Sequence, residues 1–142
     1  MALWYKEYNI SDGEDLGKGT MMETLDMEIT EIGDDFLVGR MPIGPKTIQP
    51  ARLLHGGASV ALAETLGSVA SYMIIDPEKY ICVGQSIQAN HLRPGIKGFV
   101  NARTKVIRIG KTSHVWDIDL TNDEGKLICV CRLTMAILPK TS

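Results

Sequence analysis

Apolar and polar residues alternate from Leu25 to Thr30, with Leu25, Met27 and Ile29 set against Asp26, Glu28 and Thr30. A period of two predicts a half-buried strand. Gly33-Asp34-Asp35 carries turn chemistry, and Phe36 to Met41 resumes as a second strand. Pro42, Gly44, Pro45 and Pro50 then mark a long loop. From Gly56 the period lengthens: Val60, Leu62, Ala63, Leu66, Val69, Ala70 and Met73 recur at helical spacing. Ala, Leu and Met favour helix, and the run makes about five turns. Asp76-Pro77 closes it, because proline cannot continue the hydrogen-bond ladder. Four further strands are predicted: Tyr80 to His91, Phe99 to Ile109, Thr112 to Thr121 and Lys126 to Leu138. The last two form a hairpin through Asn122-Asp123-Glu124-Gly125. Residues 1–21 read as an N-terminal extension whose polar, Gly-rich part, Ser11 to Thr20, holds a short helical turn. The chain is expected to enter the fold at Met22.

The order is two strands, one long helix, then four strands, all within residues 1–142 and without repeats or a linker. Strands run together beside a single helix predict one α+β domain with an antiparallel sheet. The helix is apolar around much of its circumference and must be covered on most sides. A curved sheet wrapped around one central helix satisfies that. Such a sheet leaves edges, and pairing with a second subunit is one way to cover them.

Composition narrows the function classes. The formal net charge is -2 and the basic residues are scattered. No stripe suits nucleic acid. The longest mostly apolar run, Ala58 to Ile75, contains Glu64 and several Ser, Thr and Gly residues, so it reads as a buried helix rather than a membrane span. Met1 to Ile10 lacks the basic start and apolar centre of a secretory signal. Cys82, Cys129 and Cys131 fit neither a disulfide framework nor a zinc pattern. Reduced thiols in the cytoplasm are the expectation.

Candidate chemistry gathers where loop becomes helix, at His55-Gly56-Gly57. The first N–H groups of a helix have no internal partner and carry the positive end of its dipole. Two glycines let a carbonyl approach that backbone closely. This suits an oxyanion-type site, and it equally suits a tight turn. Glu64 stands about two turns further on, among small and apolar neighbours. It reads either as a solvated surface carboxylate or as a base or nucleophile for an acyl carbon. Ser68, four residues on, shares its face. His55 alone reads as a cap or core histidine, and Gln49 alone as a surface amide.

Gln49, Leu54-His55-Gly56-Gly57-Ala58, Leu62-Ala63-Glu64 and Gly67-Ser68 together resemble the signature of hotdog-fold thioesterases of the 4-hydroxybenzoyl-CoA and phenylacetate-pathway type. Ala89-Asn90-His91, Arg132-Leu133-Thr134 and Ala136-Ile137-Leu138 extend the resemblance to the 1,4-dihydroxy-2-naphthoyl-CoA thioesterase branch, which serves menaquinone biosynthesis. It runs from about Leu25 to Leu138. It implies a hotdog fold and hydrolysis of an aryl-acyl-CoA, without metal or cofactor, coenzyme A being part of the substrate. Glu64 would be nucleophile or general base, and the Gly56 N–H, with Gly57 supporting the turn, would polarise the thioester carbonyl. Gln49 and His55 would orient the carbonyl or a water, and Ser68 would assist. The coenzyme A arm would meet Val83, Asn90, His91 and Arg93, and the turn Arg108-Ile109-Gly110-Lys111-Thr112. Homodimers, joined in pairs as tetramers, would hold each site at a subunit interface.

The residues themselves are compatible with this. Arg93, Arg108 and Lys111 suit phosphate oxygens, and they equally suit solvated strand ends. His91 reads as a strand histidine. Met21, Met22, Tyr72 and Met73 read as core packing or as the wall of an aromatic acyl pocket. Two other functions fit the same residues. One is a broad-specificity thioesterase acting on aryl or medium-chain acyl groups on coenzyme A or a carrier protein. The other is a noncatalytic acyl-CoA binding protein.

Overall fold

The computed structural model describes residues 1–141. Two short helices, α1 (Ile10–Gly17) and α2 (Met21–Thr24), precede the strands β1 (Glu28–Ile32) and β2 (Leu37–Pro42). The long helix α3 (Gly56–Ile74) follows, then β3 (Tyr80–His91), β4 (Phe99–Ile109), β5 (Ser113–Thr121) and β6 (Leu127–Pro139). The six strands form one sheet in the order β1-β2-β4-β5-β6-β3, every pair antiparallel. This is the hotdog arrangement that the sequence predicts, with α3 against the inner face.

Alternation explains the inner face. His114, Trp116, Ile118 and Leu120 of β5 are buried while Ser113, Val115, Asp117 and Asp119 are not. On the outer face Asp117 takes a paired grip from the Arg132 guanidinium at 2.7 and 3.0 Å. Leu62, Leu66 and Met73 of α3 meet Leu37, Met41, Leu133 and Met135 in one core. Ser71 puts a polar centre into it, accepting from Trp116 Nε1 at 2.8 Å and lying 2.9 Å from His114 Nδ1. Cys129 and Cys131 are buried on the same side. Burial, followed by the neighbouring Cys129, pushes the Cys131 thiol up to about 12, which suits an inert thiol.

Two expectations need correcting. The first strand begins at Glu28, not Leu25. Asp26 sits at φ 55, outside the extended region, so the alternation of Leu25 and Met27 belongs to a turn. The chain also joins the fold well before Met22. The Leu3 N–H donates to the Asp34 carbonyl and the Tyr5 N–H to the Met73 carbonyl, both at 2.7 Å. The helical turn expected in Ser11 to Thr20 is an eight-residue helix started by an Asn9–Asp12 capping box.

One side of α3 faces away from the sheet: Ala61, Glu64, Thr65 and Ser68 are only half buried there, and Tyr72 is exposed. The strand at that side, β3, is also the sheet's last. It is 12 residues long and leaves Tyr80, Ile81 and Val83 exposed.

Candidate active site

The helix start is built by the loop before it. Thr47 is buried, donates to the Pro42 carbonyl at 2.8 Å and offers its own carbonyl to the His55 N–H at 2.8 Å. A bridge between Ile48 and Leu54 folds Gln49 back beside the helix. The Gln49 side-chain oxygen accepts from the Ala51 N–H, and among the described residues its amide nitrogen has no acceptor. His55 is the N-cap: its Nδ1 accepts from the Gly57 N–H at 2.8 Å. A neutral imidazole accepting at Nδ1 carries its proton on Nε2, which can donate. The Ala58 and Ser59 N–H groups both reach the His55 carbonyl, at 3.0 and 3.2 Å. Among the described residues, the Gly56 N–H is left without an acceptor. It is the free donor of the helix terminus.

Gly56 opens to a cavity of about 390 Å³ that Gln49, His91 and Arg93 also line. The His91 ring lies directly on the glycine. A Cβ at Gly56 would stand 2.9 Å from His91 Nε2, so no larger residue fits without moving the ring.

Glu64 belongs to a second cavity, of about 520 Å³, with Gly57, Val60, Thr65, Ser68, Val69 and Met21. Its carboxylate reaches across to β3: a Cβ at Gly84 would lie 2.2 Å from Glu64 Oε1. Gly84 therefore clears the space the carboxylate occupies. Beside it β3 carries a bulge between Gly84 and Ser86, a local kink that re-aims backbone next to a site. Glu64 makes no ion pair among the described residues. Ser68 lines the same cavity, but its hydroxyl lies 3.5 Å from the Met135 sulfur rather than on Glu64.

Glu64 shares a helix face with Gly57, yet it stands about 12 Å along the axis from Gly56, since eight residues rise 1.5 Å each. The two cavities share no lining residue. Within one chain the free N–H and the carboxylate cannot reach the same carbonyl.

The remaining candidates divide the same way. Asn90 and His91 pair with Val130 and Cys129, and Arg93 follows. Val83 pairs with Ala136, which faces Ser113 on β5. Arg108 stands near the end of β4 opposite Val115, and Gly110, Lys111 and Thr112 form the β4–β5 turn at this second end, where the Gly110 N–H donates to the Ser113 carbonyl at 2.8 Å. Seven strand residues, about 23 Å, separate the two ends. Sequence reasoning passed over Gly84, although a glycine inside a run that otherwise reads as strand signals a close approach.

Residues 52–129 match the family model described as the thioesterase superfamily. The chain is 44% identical over 139 residues to the Pseudomonas aeruginosa protein PA1618, covering 98% of this chain and 96% of that one. A solved structure of thioesterase PA1618, in a glutamine-to-alanine form, superposes with a TM-score of 0.96 at 42% identity and covers 98% and 100% of the two chains. The chain is 41% identical to the 1,4-dihydroxy-2-naphthoyl-CoA hydrolase of Escherichia coli, over 96% of this chain and 99% of that one. It is 37% identical to the proofreading thioesterase EntH of Cronobacter turicensis, over 96% and 98%. The Staphylococcus aureus protein SAV0944 is similar at 43% identity, with TM-scores of 0.82 and 0.81 in two structures that cover 84% of this chain and 99% and 98% of theirs. One carries a glutamine-to-alanine change, and the other a glutamate-to-alanine change fifteen positions further on. Gln49 and Glu64 are likewise fifteen apart.

Proposed function

The chain belongs to the thioesterase superfamily and is a thioester hydrolase, and from that premise we propose that it cleaves aryl-acyl-coenzyme A in sites shared between two copies. The observation that carries the shared site is the separation just described: a free backbone donor at one end of β3 and a carboxylate at the other. A symmetric dimer in which β3 pairs antiparallel with its own copy reverses one strand against the other. The Gly84 end of one copy then lies along the His91 end of its partner. Glu64 of one chain comes to the Gly56 N–H of the other, and two equivalent sites result. The exposed Ile81 and Val83 on a 12-residue edge strand support this pairing, because a long apolar edge is otherwise an aggregation template. The matching glutamine–glutamate spacing in SAV0944 supports Gln49 and Glu64 as members of one site.

The chemistry asked of such a site is modest. The Gly56 N–H, at the positive end of α3, would hold the carbonyl oxygen as it gains charge. Glu64 would add an oxygen to the acyl carbon, either directly or by taking a proton from water. By the direct route the C–S bond breaks, thiolate leaves, and water then hydrolyses the acyl-Glu64 anhydride. By the other, water adds and thiolate leaves in turn. Both consume one water and release a carboxylic acid and coenzyme A. A thiolate leaves readily, so the proposal calls for no metal or cofactor. Gln49 and the His55 Nε2–H would orient the carbonyl or the water. Antiparallel pairing would also bring the β4–β5 turn of one copy towards Asn90, His91 and Arg93 of the other, where the coenzyme A arm would run.

The name of the Escherichia coli relative supports a dihydroxynaphthoyl group as the acyl moiety, and the resemblance seen in the sequence would then place the reaction in menaquinone biosynthesis. The name of the Cronobacter relative, a proofreading thioesterase, supports instead the broader thioesterase reading. Among the described residues no helix is long and apolar enough to cross a membrane. Three unpaired thiols fit the reducing cytoplasm as the proposed location. Assembly of two dimers into a tetramer is expected from the resemblance and is read by sedimentation. The direct test is hydrolysis of dihydroxynaphthoyl-, benzoyl- and aliphatic acyl-CoA by wild type and Glu64→Gln. Steep preference for the naphthoyl thioester with loss in the variant supports the assignment. Equal turnover on all substrates contradicts the naphthoyl reading, and unchanged activity in the variant contradicts the role of Glu64.

A further inference from the structure

Ser59, in the first turn of α3, is a buried polar side chain to which nothing above gives a task. The residue is 1% exposed. Its N–H bonds to the His55 carbonyl in the ordinary helical way. Its hydroxyl makes no hydrogen bond among the described residues, not even back to that carbonyl. A serine inside a helix commonly bonds the carbonyl four residues earlier, so the free hydroxyl is unusual. Yet among the described residues no fully enclosed side-chain oxygen or nitrogen lacks a partner. The little surface that Ser59 keeps is therefore at its oxygen. Ser59 lines the cavity of about 390 Å³ into which Gly56 opens, and that surface faces the cavity.

The place of this hydroxyl is informative. Residues three apart share a helix face, and helical side chains lean towards the N-terminus. Ser59 Oγ thus leans over the turn that begins at Gly56, and the rise between the two residues is about 4.5 Å. Leu53, Leu54, Leu92 and Ile128 make much of the remaining wall apolar. An N–H and a hydroxyl, both without partners in the chain, stand on one side of this cavity. Packing alone does not call for the hydroxyl, because alanine would fill nearly the same space and leave no polar group to satisfy.

A thioester of coenzyme A has polar groups at this spacing. With the Gly56 N–H on the thioester carbonyl, the sulfur and two methylenes follow the acyl carbon, and the first amide of the arm comes next. Four bonds lead from the acyl carbon to that amide nitrogen, about 5 Å when extended. His91 and Arg93, which the reading above sets along the arm, line the same cavity. An amide both donates and accepts, and a serine hydroxyl can serve either side of it.

We propose that Ser59 is a further binding residue, whose hydroxyl bonds the first amide of the coenzyme A arm and so fixes the thioester against the Gly56 N–H. The inference rests on the thioesterase reading and on the arm's passage through the Gly56 cavity. It concerns the thiol that carries the acyl group, whatever that acyl group is.

The experiment places one acyl group, the best substrate of the coenzyme A panel, on coenzyme A, on N-acetylcysteamine and on pentanethiol. N-acetylcysteamine keeps the first amide and nothing beyond it, and pentanethiol has the same length without the amide. The full chain is used in excess, so that slow cleavage is measurable. Wild type is expected to favour the N-acetylcysteamine over the pentanethiol thioester, and Ser59→Ala to lower that preference by about tenfold. The difference between the two leaving groups is common to both proteins and cancels. Should Ser59→Ala not fold, Ser59→Cys, close in volume and a weak hydrogen-bonding group, is expected to show the same loss. A preference unmoved in the folded variant overturns the role of Ser59, whatever happens to the overall rate. A wild type that cleaves none of the three thioesters overturns the thioesterase reading itself, which separates the two failures.

Discussion

The two ends of β3 hold different groups, which the proposed site joins in one chemistry. At the Gly84 end the strand gives up a side chain, and a carboxylate from mid-helix fills the space. At the His91 end an imidazole lies on Gly56, whose N–H is the unclaimed donor of the helix start. One end has a group that can attack, and the other has a group that can hold developing charge. Neither is sufficient, and about 23 Å of strand lies between them. The contrast teaches why the proposed site calls for a second copy turned around: one chain does not bring its own two halves together.

The largest expected effect comes from emptying the Gly84 end of its chemistry. Glu64→Gln keeps size and polarity but removes the proposed base or nucleophile. Turnover should fall about a thousandfold with the fold unchanged. Near-wild-type steady-state rates would assign the chemistry elsewhere. Next comes Gly84→Val, which leaves Glu64 intact but occupies its place. Steady-state kinetics should show a loss of about ten- to a hundredfold, as expected for a misplaced reacting group. If activity survives, the apposition of Gly84 and Glu64 has no bearing on the reaction.

A third change separates chemistry from support. Ser71 lies on α3 but faces the core, where Trp116 and His114 meet its hydroxyl. Ser71→Ala should cost about 1–3 kcal/mol in denaturant unfolding, because buried partners lose their acceptor or donor. A larger loss of turnover than of stability would tie the core to the site. The smallest effect is in pH. Burial holds His114 below its ordinary 6.5, so the unfolded chain binds more protons than the folded one as pH falls through that range. Stability is full above about 6.5 and declines as pH drops below it. His114→Gln should flatten that decline in a series of melting curves.

Much of this layout was legible in the sequence. The bounds of β3 and β4 follow from alternation and from the turns around them, because both strands are governed by local pattern. The helix start was legible because Gly-Gly after a histidine is a local arrangement. Glu64 was visible as an odd charge in an apolar run. Its place against Gly84 was not, since that contact joins residues twenty positions apart through the packing of α3 on the sheet. The same holds for the N-terminal segment. Its polar composition reads as an appendage, yet backbone bonds from Leu3 and Tyr5 tie it to the β1–β2 turn and to the end of α3. Ser68 shows the converse. Helical spacing puts it beside Glu64, but its rotamer turns the hydroxyl towards Met135.

The central claim is that each site takes Glu64 from one chain and the Gly56 donor from another. Mixing tests it most directly. Glu64→Gln and Gly56→Val chains, each inactive alone and each shown to fold, are combined, unfolded and refolded together. In a symmetric dimer, random pairing leaves about a quarter of all sites with both groups intact. Activity should therefore return to roughly that fraction of wild type. Mixed dimers that form, as shown by mass, yet remain inactive would contradict the shared site.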